Sequence, residues 1–238
     1  MSDWIILCDF DGTISVEDVT DSLLERHAHA DWAIVERRWR AGEIGSRQCL
    51  SEQVALVDAE RGQLDALFAS MRIDRAFPAF VEAAMAANVP VRIVSDGLEV
   101  ASESLLARHR LEFLPVAANR LVANGPRHWR LEFPHARDDC AVASGLCKCA
   151  QVAVARQSKK KVLLIGDGTS DFCAAGAVDL VFAKNRLIEH CRAHDLPYVP
   201  ITGFADALVL LPALLEGSLA VGTPAPTPAS ANGLPSHA

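Results

Sequence analysis

No stretch of the 238-residue chain approaches the roughly 18 to 20 consecutive apolar residues that a helix needs to cross a bilayer. The first ten residues hold only a short apolar run without a basic flank, so no secretion signal is expected there and the expected location is cytoplasmic. A basic excess is also missing. The 23 Lys and Arg stand against 30 Asp and Glu, a formal net charge of −7, which leaves no footprint for nucleic acid or for an anionic membrane. The dense, regular cysteine spacing of a secreted disulfide scaffold is absent: the seven cysteines are odd in number and scattered, and reduced thiols are expected. Cys140, Cys147 and Cys149, with His135 nearby, could be metal ligands, but Cys-x-Cys is not the usual zinc spacing, and small buried thiols are the simpler reading. Charge itself is lacking from 218 to 238, where no Asp, Glu, Lys or Arg occurs and Pro224, Pro226, Pro228 and Pro235 are interleaved with Ala, Ser and Thr. A disordered tail is expected there, because so few apolar residues cannot offset the ordering entropy.

Half of the residues are apolar, enough for one sizeable core plus a smaller module. The most telling segment is Asp9-Phe10-Asp11-Gly12-Thr13, directly after the apolar run Trp4-Ile5-Ile6-Leu7-Cys8. In an open α/β sheet the carboxyl ends of the strands line the ligand crevice. Two unpaired acids there are costly unless they bind a metal or react. Alternate residues of an extended segment point the same way, so Asp9 and Asp11 can converge, with Gly12 allowing a sharp exit. An Asx-type turn is the bland alternative.

The pattern recurs. Val91-Arg92-Ile93-Val94 runs into Ser95-Asp96-Gly97, and Val162-Leu163-Leu164-Ile165 runs into Gly166-Asp167-Gly168-Thr169-Ser170-Asp171. Between them Lys148 opens a helix-like stretch. An acid pair, a hydroxyl, a lysine and a second acid pair are the parts of a phosphoryl-transfer site: nucleophile, oxygen-binding groups and a metal clamp. Residues 18 to 71 read as helical, with apolar positions at irregular three and four spacings. From 75 onward helices and strands alternate: strands are expected at 91–94, 113–116, 162–165 and 180–183, and a small hairpin at 120–122 and 128–133. This alternation predicts an α/β fold with a doubly wound parallel sheet.

In this order the four motifs resemble the haloacid dehalogenase superfamily of phosphatases, whose signatures are Asp-x-Asp-x-Thr, a Ser or Thr after a second strand, a lysine, and Gly-Asp-x-x-x-Asp. The likeness spans roughly residues 4 to 205. Within the phosphoserine-phosphatase-like branch, Phe133-Pro134-His135, Cys140, Gly145-Leu146-Cys147-Lys148 and the run Phe182 to Cys191 are similar to the 2-hydroxy-3-keto-5-methylthiopentenyl-1-phosphate phosphatases of methionine salvage. The resemblance implies a Rossmann-like catalytic core from 1–15 and 75–217 and a helical cap at 16–74 inserted after the first strand, ahead of the tail at 218–238 read from composition.

It also implies roles. Asp9 attacks phosphorus to give an aspartyl phosphate, and Asp11 is the acid and base, its backbone carbonyl touching the metal. Asp167 and Asp171 complete the ligand set of a Mg²⁺ ion, for which carboxylates, phosphate oxygens and water are suitable donors. Spacing alone leaves open whether Asp171 instead caps a helix. Ser95 and the Gly97 amide bind phosphate oxygens, and Lys148 neutralises Asp9 and the phosphoryl group. The implied partner is a small phosphorylated metabolite, with no nucleic acid and no membrane; nothing in the sequence indicates an oligomeric state.

The chain departs from phosphoserine phosphatases at the cap. Their glutamate position falls near Asp18, and their arginine position near Ser51, with Arg47 a turn earlier; Ser95-Asp96-Gly97 replaces Ser-Gly-Gly, and Ser170 an Asn. A missing guanidinium removes the two-pronged grip on a carboxylate, which favours an enol phosphate over phosphoserine. Phosphocholine or phosphoethanolamine is the alternative, with Asp18 or Asp96 as a cation site. A phosphotransferase, a phospho-accepting receiver or a silent binding protein on the same fold are more remote readings.

Overall fold

The computed structural model describes residues 3–219, so the expected tail lies outside the described residues from 220 onward. β1 (Trp4–Cys8) leads into α1 (Val19–His27), α2 (Trp32–Arg40), α3 (Ser46–Ala55) and α4 (Arg61–Ser70). Then come α5 (Phe77–Ala86), β2 (Val91–Leu98), α6 (Glu99–Ala107), β3 (Val116–Ala123) and β4 (Trp129–Glu132). The remainder is α7 (Lys148–Arg156), β5 (Lys161–Gly166), a single 3-10 turn at Thr169–Asp171, α8 (Phe172–Ala175), β6 (Leu180–Ala183), α9 (Asn185–Ala193), β7 (Tyr198–Pro200) and α10 (Phe204–Glu216).

The strands form one sheet in the order β4-β3-β2-β1-β5-β6-β7. Every neighbouring pair is parallel except β3 with β4. β1 is central and reads as an unbroken apolar run because both of its faces are covered. Its side chains alternate between two cores: Ile6 and Cys8 join Phe80, Ile93 and Phe182, whereas Ile5 and Leu7 join Val152, Val162 and Leu164. From β1 the chain winds outward in one direction through β2 to β4, then returns beside β1 at β5 and winds the other way. This reversal makes the carboxyl ends of β1, β2 and β5 the sheet's switch point, where a crevice opens.

Local signals set the helix ends. Asp18 accepts the Asp21 amide at 2.8 Å to cap α1. Glu60 and Gln63 form a reciprocal capping box at α4. The helices before β2 are pinned rather than free. Ser15 bridges Ile73 at their stem, the Trp129 indole donates to Ala59 O at 2.9 Å, and the Ala59 amide donates to Arg127 O at 3.0 Å. Leu23, Leu24, Val54 and Phe68 share one apolar cluster with Ile6 and Phe80, so α1 to α4 have no separate core.

Two expectations need correction. The strand expected at 113–116 is mostly a turn, and β3 starts only at Val116. Its first half pairs with β2 and its second half forms the expected hairpin with β4. Asn119 and Arg120 interrupt the apolar pattern and hid this continuity. β7 and α10 lay beyond the last expected strand. The former is a three-residue edge strand containing Pro200, which an edge tolerates. The latter packs on α5 through Phe204, whose ring lies 4.7 Å from Phe77 and 5.3 Å from Phe80 between centroids.

Phe204 is fully buried. Phe204→Ala should therefore lower unfolding free energy by about 3–5 kcal/mol in urea titration. A loss under about 1 kcal/mol would mean that α10 contributes little to the core.

Candidate active site

Asp9 continues β1. Its amide donates to Ile165 O at 2.9 Å, extending the pairing with β5, while Phe10 turns into the core. Asp9 and Asp11 consequently face one side and line a cavity of about 380 Å³ at the switch point. Gly12 has φ +70°, and a Cβ there would lie 2.7 Å from Asp167 Oδ2, so both the turn and the close approach need glycine. The Lys184 ammonium holds this turn, donating to Gly12 O at 2.9 Å and Thr13 O at 3.3 Å.

Lys148, in the first turn of α7, is the structural centre of the site. Its ammonium is 1% exposed and donates to Asp9 Oδ1 at 2.8 Å, Asp171 Oδ1 at 2.6 Å and Ser170 Oγ at 3.0 Å. Burial alone would lower the Lys148 pKa, but the charges of Asp171 and Asp9 outweigh it and raise it. Burial pushes the Asp9 carboxyl well up, Asp171 adds to this, and Lys148 opposes it. The Lys159-Lys160-Lys161 run is elsewhere, with Lys161 over the Trp4 ring.

Asp171 bonds its own loop and Lys148 at once. Its Oδ2 accepts the amides of Asp167 at 3.0 Å and Gly168 at 3.2 Å, closing the loop after β5, while Oδ1 takes Lys148. Asp167 is half-buried, and withdrawal from water raises its pKa against the hydrogen bond from Asn185. Carboxylate oxygens of Asp9, Asp167 and Asp171 lie within 4.8 Å of one another. Three hard oxygen donors facing one buried ammonium leave a charge deficit that a divalent cation fits. Among the described residues no other set of three His, Cys, Asp or Glu converges this way, and all seven cysteines are free. The Asp11 carboxylate stands outside that set. It accepts the Val19 amide at 3.0 Å, and burial followed by the charge of Asp18 raises its pKa well above the usual range.

Ser95 is fully buried, and its Oγ accepts the Gly97 amide at 3.0 Å, so these two expected phosphate-binding groups bond each other. Asp96 lines the cavity but is no open cation site. Its carboxylate already accepts Ser46 Oγ at 2.5 Å, the Leu146 amide at 2.7 Å and the Asn119 amide group at 3.1 Å. It thereby ties α3, β3 and the segment before Lys148 to the end of β2. Arg47 and Ser51 do not line the cavity; Arg47 lies 4.0 Å from the exposed Asp138. Position 51 therefore does not decide whether a guanidinium reaches the cavity; the arginines that line it are Arg40 and Arg186.

Arg40 was not foreseen, and its Nε is taken by Glu36 Oε1 at 2.8 Å. Helical spacing places Glu36, Trp39 and Arg40 on α2, but only packing shows which side meets the cavity. Asp18 lines the same wall; the surrounding protein removes much of its water, and with the charge of Asp21 its pKa rises to about 6.

A haloacid dehalogenase-like hydrolase family model matches residues 6–176, which contain Asp9, Asp11, Ser95, Lys148, Asp167 and Asp171. The chain belongs to the haloacid dehalogenase-like hydrolases. It is 29% identical over 225 residues to the 2-hydroxy-3-keto-5-methylthiopentenyl-1-phosphate phosphatase of Lysinibacillus sphaericus, covering 92% of this chain and 98% of that one. The phosphatase of the same name from Geobacillus thermodenitrificans is 26% identical over 211 residues, covering 86% and 93%. A solved hydrolase of this family from Salmonella enterica superposes with TM-score 0.69 at 17% identity, covering 92% of this chain and 72% of that one. A phosphoserine phosphatase holding a phospho-aspartyl intermediate analogue superposes with TM-score 0.66 at 16% identity, over 86% and 96%. The haloacid dehalogenase-like fold is thus shared along nearly the whole described chain.

A Cβ on Gly97 would lie 2.0 Å from Asp11 Oδ2. Gly97→Ala must therefore push the Asp11 carboxylate aside while leaving the core intact. Hydrolysis of para-nitrophenyl phosphate should fall about 100-fold or more, the scale of a lost general acid, with the urea midpoint nearly unchanged. Activity close to the parent's would separate Asp11 from the chemistry.

Proposed function

We propose that this hydrolase cleaves a small phosphomonoester through an aspartyl phosphate on Asp9, and that its substrate is 2-hydroxy-3-keto-5-methylthiopentenyl-1-phosphate. The observation that carries the reading is the buried Lys148 ammonium holding Asp9 at the switch point, with Asp11 beside it and a raised pKa. Lys148 fixes the attacking carboxylate and offsets charge as the phosphoryl group arrives. Asp9 attacks phosphorus in line with the leaving oxygen. Asp11, whose pKa burial raises, gives a proton to that oxygen and later takes one from the water that frees Asp9. Ser95 and Gly97 exchange their mutual hydrogen bond for phosphate oxygens. Asp9, Asp167 and Asp171, with the Asp11 carbonyl, would hold Mg²⁺, which when bound neutralises phosphoryl charge.

Residues 16–74 act as the cap, since α1 to α3 supply the far wall of the cavity. That wall argues for the substrate. Asp18, Asp21 and Glu36 line it, and Arg40 is already paired with Glu36. On that wall a substrate carboxylate would meet like charge, at a cost that disfavours phosphoserine; Arg186, the other arginine lining the cavity, belongs to α9 and not to the wall. The enol phosphate, for whose hydrolysis the curated relatives are named, has no charge on its leaving group and meets no such penalty. A second reading, phosphoethanolamine or phosphocholine, is favoured by the same acids and by Trp39 in the wall. A cytoplasmic setting suits seven free thiols.

The test is kcat/KM for the enol phosphate, phosphoserine, phosphocholine and phosphoethanolamine with Mg²⁺ and with chelator. The enol phosphate should lead, and chelator should abolish turnover. Phosphoserine ahead by about tenfold, a transition-state difference of about 1.4 kcal/mol, would overturn the substrate assignment; full activity in chelator would overturn the metal.

A further inference from the structure

Two buried side-chain polar atoms among the described residues lack a hydrogen-bond partner, Asn119 Oδ1 and Thr20 Oγ1. Asn119 sits behind Asp96 and outside the cavity. Thr20 is different: it is 8% exposed, and it lines the active-site cavity. It lies in the first turn of α1 directly after Val19, whose amide holds the Asp11 carboxylate at 3.0 Å. Thr20 therefore shares the cavity lining with Asp11, the group assigned to protonate the leaving oxygen, and follows in sequence the residue that holds it.

A buried hydroxyl without a partner is unfavourable, and such groups in native proteins usually await a ligand or water. Threonine in a helix populates two χ1 rotamers because its hydroxyl can bond a preceding carbonyl. Here it makes no such bond, so rotation about χ1 forfeits nothing and exchanges methyl and hydroxyl relative to the cavity. The wall beyond holds acceptors, Asp18 and Asp21, and an apolar corner of Trp39 and Leu50. Such a lining offers acceptors to hydroxyl groups and apolar contact to carbon.

We propose that Thr20 is a specificity-determining residue whose hydroxyl hydrogen-bonds an oxygen on the second or third carbon of the leaving group. The assignment rests on the phosphatase reading above and narrows its substrate class to oxygenated alkyl or alkenyl phosphates. An enol phosphate with 2-hydroxy and 3-keto oxygens is one member. Simple alkyl phosphates fall outside it.

The probes are glycerol 1-phosphate and n-propyl phosphate, which differ only in the two hydroxyls, with para-nitrophenyl phosphate as a reference. The parent enzyme should prefer glycerol 1-phosphate in kcat/KM by about tenfold or more. Thr20→Val, which keeps the shape, should erase most of that preference by raising KM for glycerol 1-phosphate. Turnover of n-propyl and para-nitrophenyl phosphates should stay within about twofold, thermal stability should hold or rise as the unpartnered hydroxyl is removed, and Thr20→Ser should restore the preference. Should Thr20→Val not fold, Thr20→Ala makes the same comparison. An unchanged preference in the variant, or an equal loss on all three esters, would overturn the role of Thr20 while leaving the phosphatase intact. A parent enzyme that hydrolyses none of the three would instead overturn the phosphatase reading, and this inference with it.

Discussion

The site depends on one interaction, the ammonium of Lys148 buried between Asp9 and Asp171. An ammonium at 1% exposure is tolerable only with both carboxylates in place, and each carboxylate is tolerable only with the ammonium. The partners come from three separate stretches, the end of β1, the start of α7 and the loop after β5, so the pair specifies how these stretches meet. Such an arrangement is weak evidence for stability, since desolvation offsets most of the attraction. A hydrophobic triplet of similar volume would serve the fold as well. The proposed chemistry accounts for charge kept there, since a carboxylate that attacks phosphorus acts as the anion, fixed and short of water.

The same logic extends outward from the pair. Asp171 closes its own loop by accepting two backbone amides, which sets Asp167 at the cavity edge. Lys184 clamps the turn after Asp11, and Gly12 and Gly97 leave room for the carboxylates of Asp167 and Asp11. Asp96 connects this rigid floor to the helical wall through Ser46. The helical wall is thereby bonded directly to the strand that carries Ser95.

Much of the floor was legible in the sequence because all of its parts but Lys148 follow the end of an apolar run, and that signal is local. Asp9, Asp11, Ser95, Lys148, Asp167 and Asp171 do converge around one cavity, Lys148 bonding Asp9 and Asp171 directly. The wall was not legible in this way. Helical periodicity in α2 and α3 identifies a buried stripe but not which neighbour covers the opposite edge, so Arg40 and Glu36 went unnoticed and Arg47 was placed at the cavity wrongly. Asp96 was misread for a related reason: its three donors come from residues 46, 119 and 146, and no spacing rule links them. β3 escaped because it changes partners midway, pairing β2 and then β4, while its apolar pattern changes at Asn119.

The central claim is that Asp9, held by Lys148, carries the phosphoryl group during turnover. Acyl phosphates are reduced by borohydride, whereas free carboxylates are not. The enzyme would be acid-quenched while turning over substrate with Mg²⁺, reduced, digested and mapped by mass spectrometry. The account predicts conversion of Asp9 to homoserine, dependent on substrate. Modification at Asp11 or Asp167 instead, or none while turnover proceeds, would contradict it.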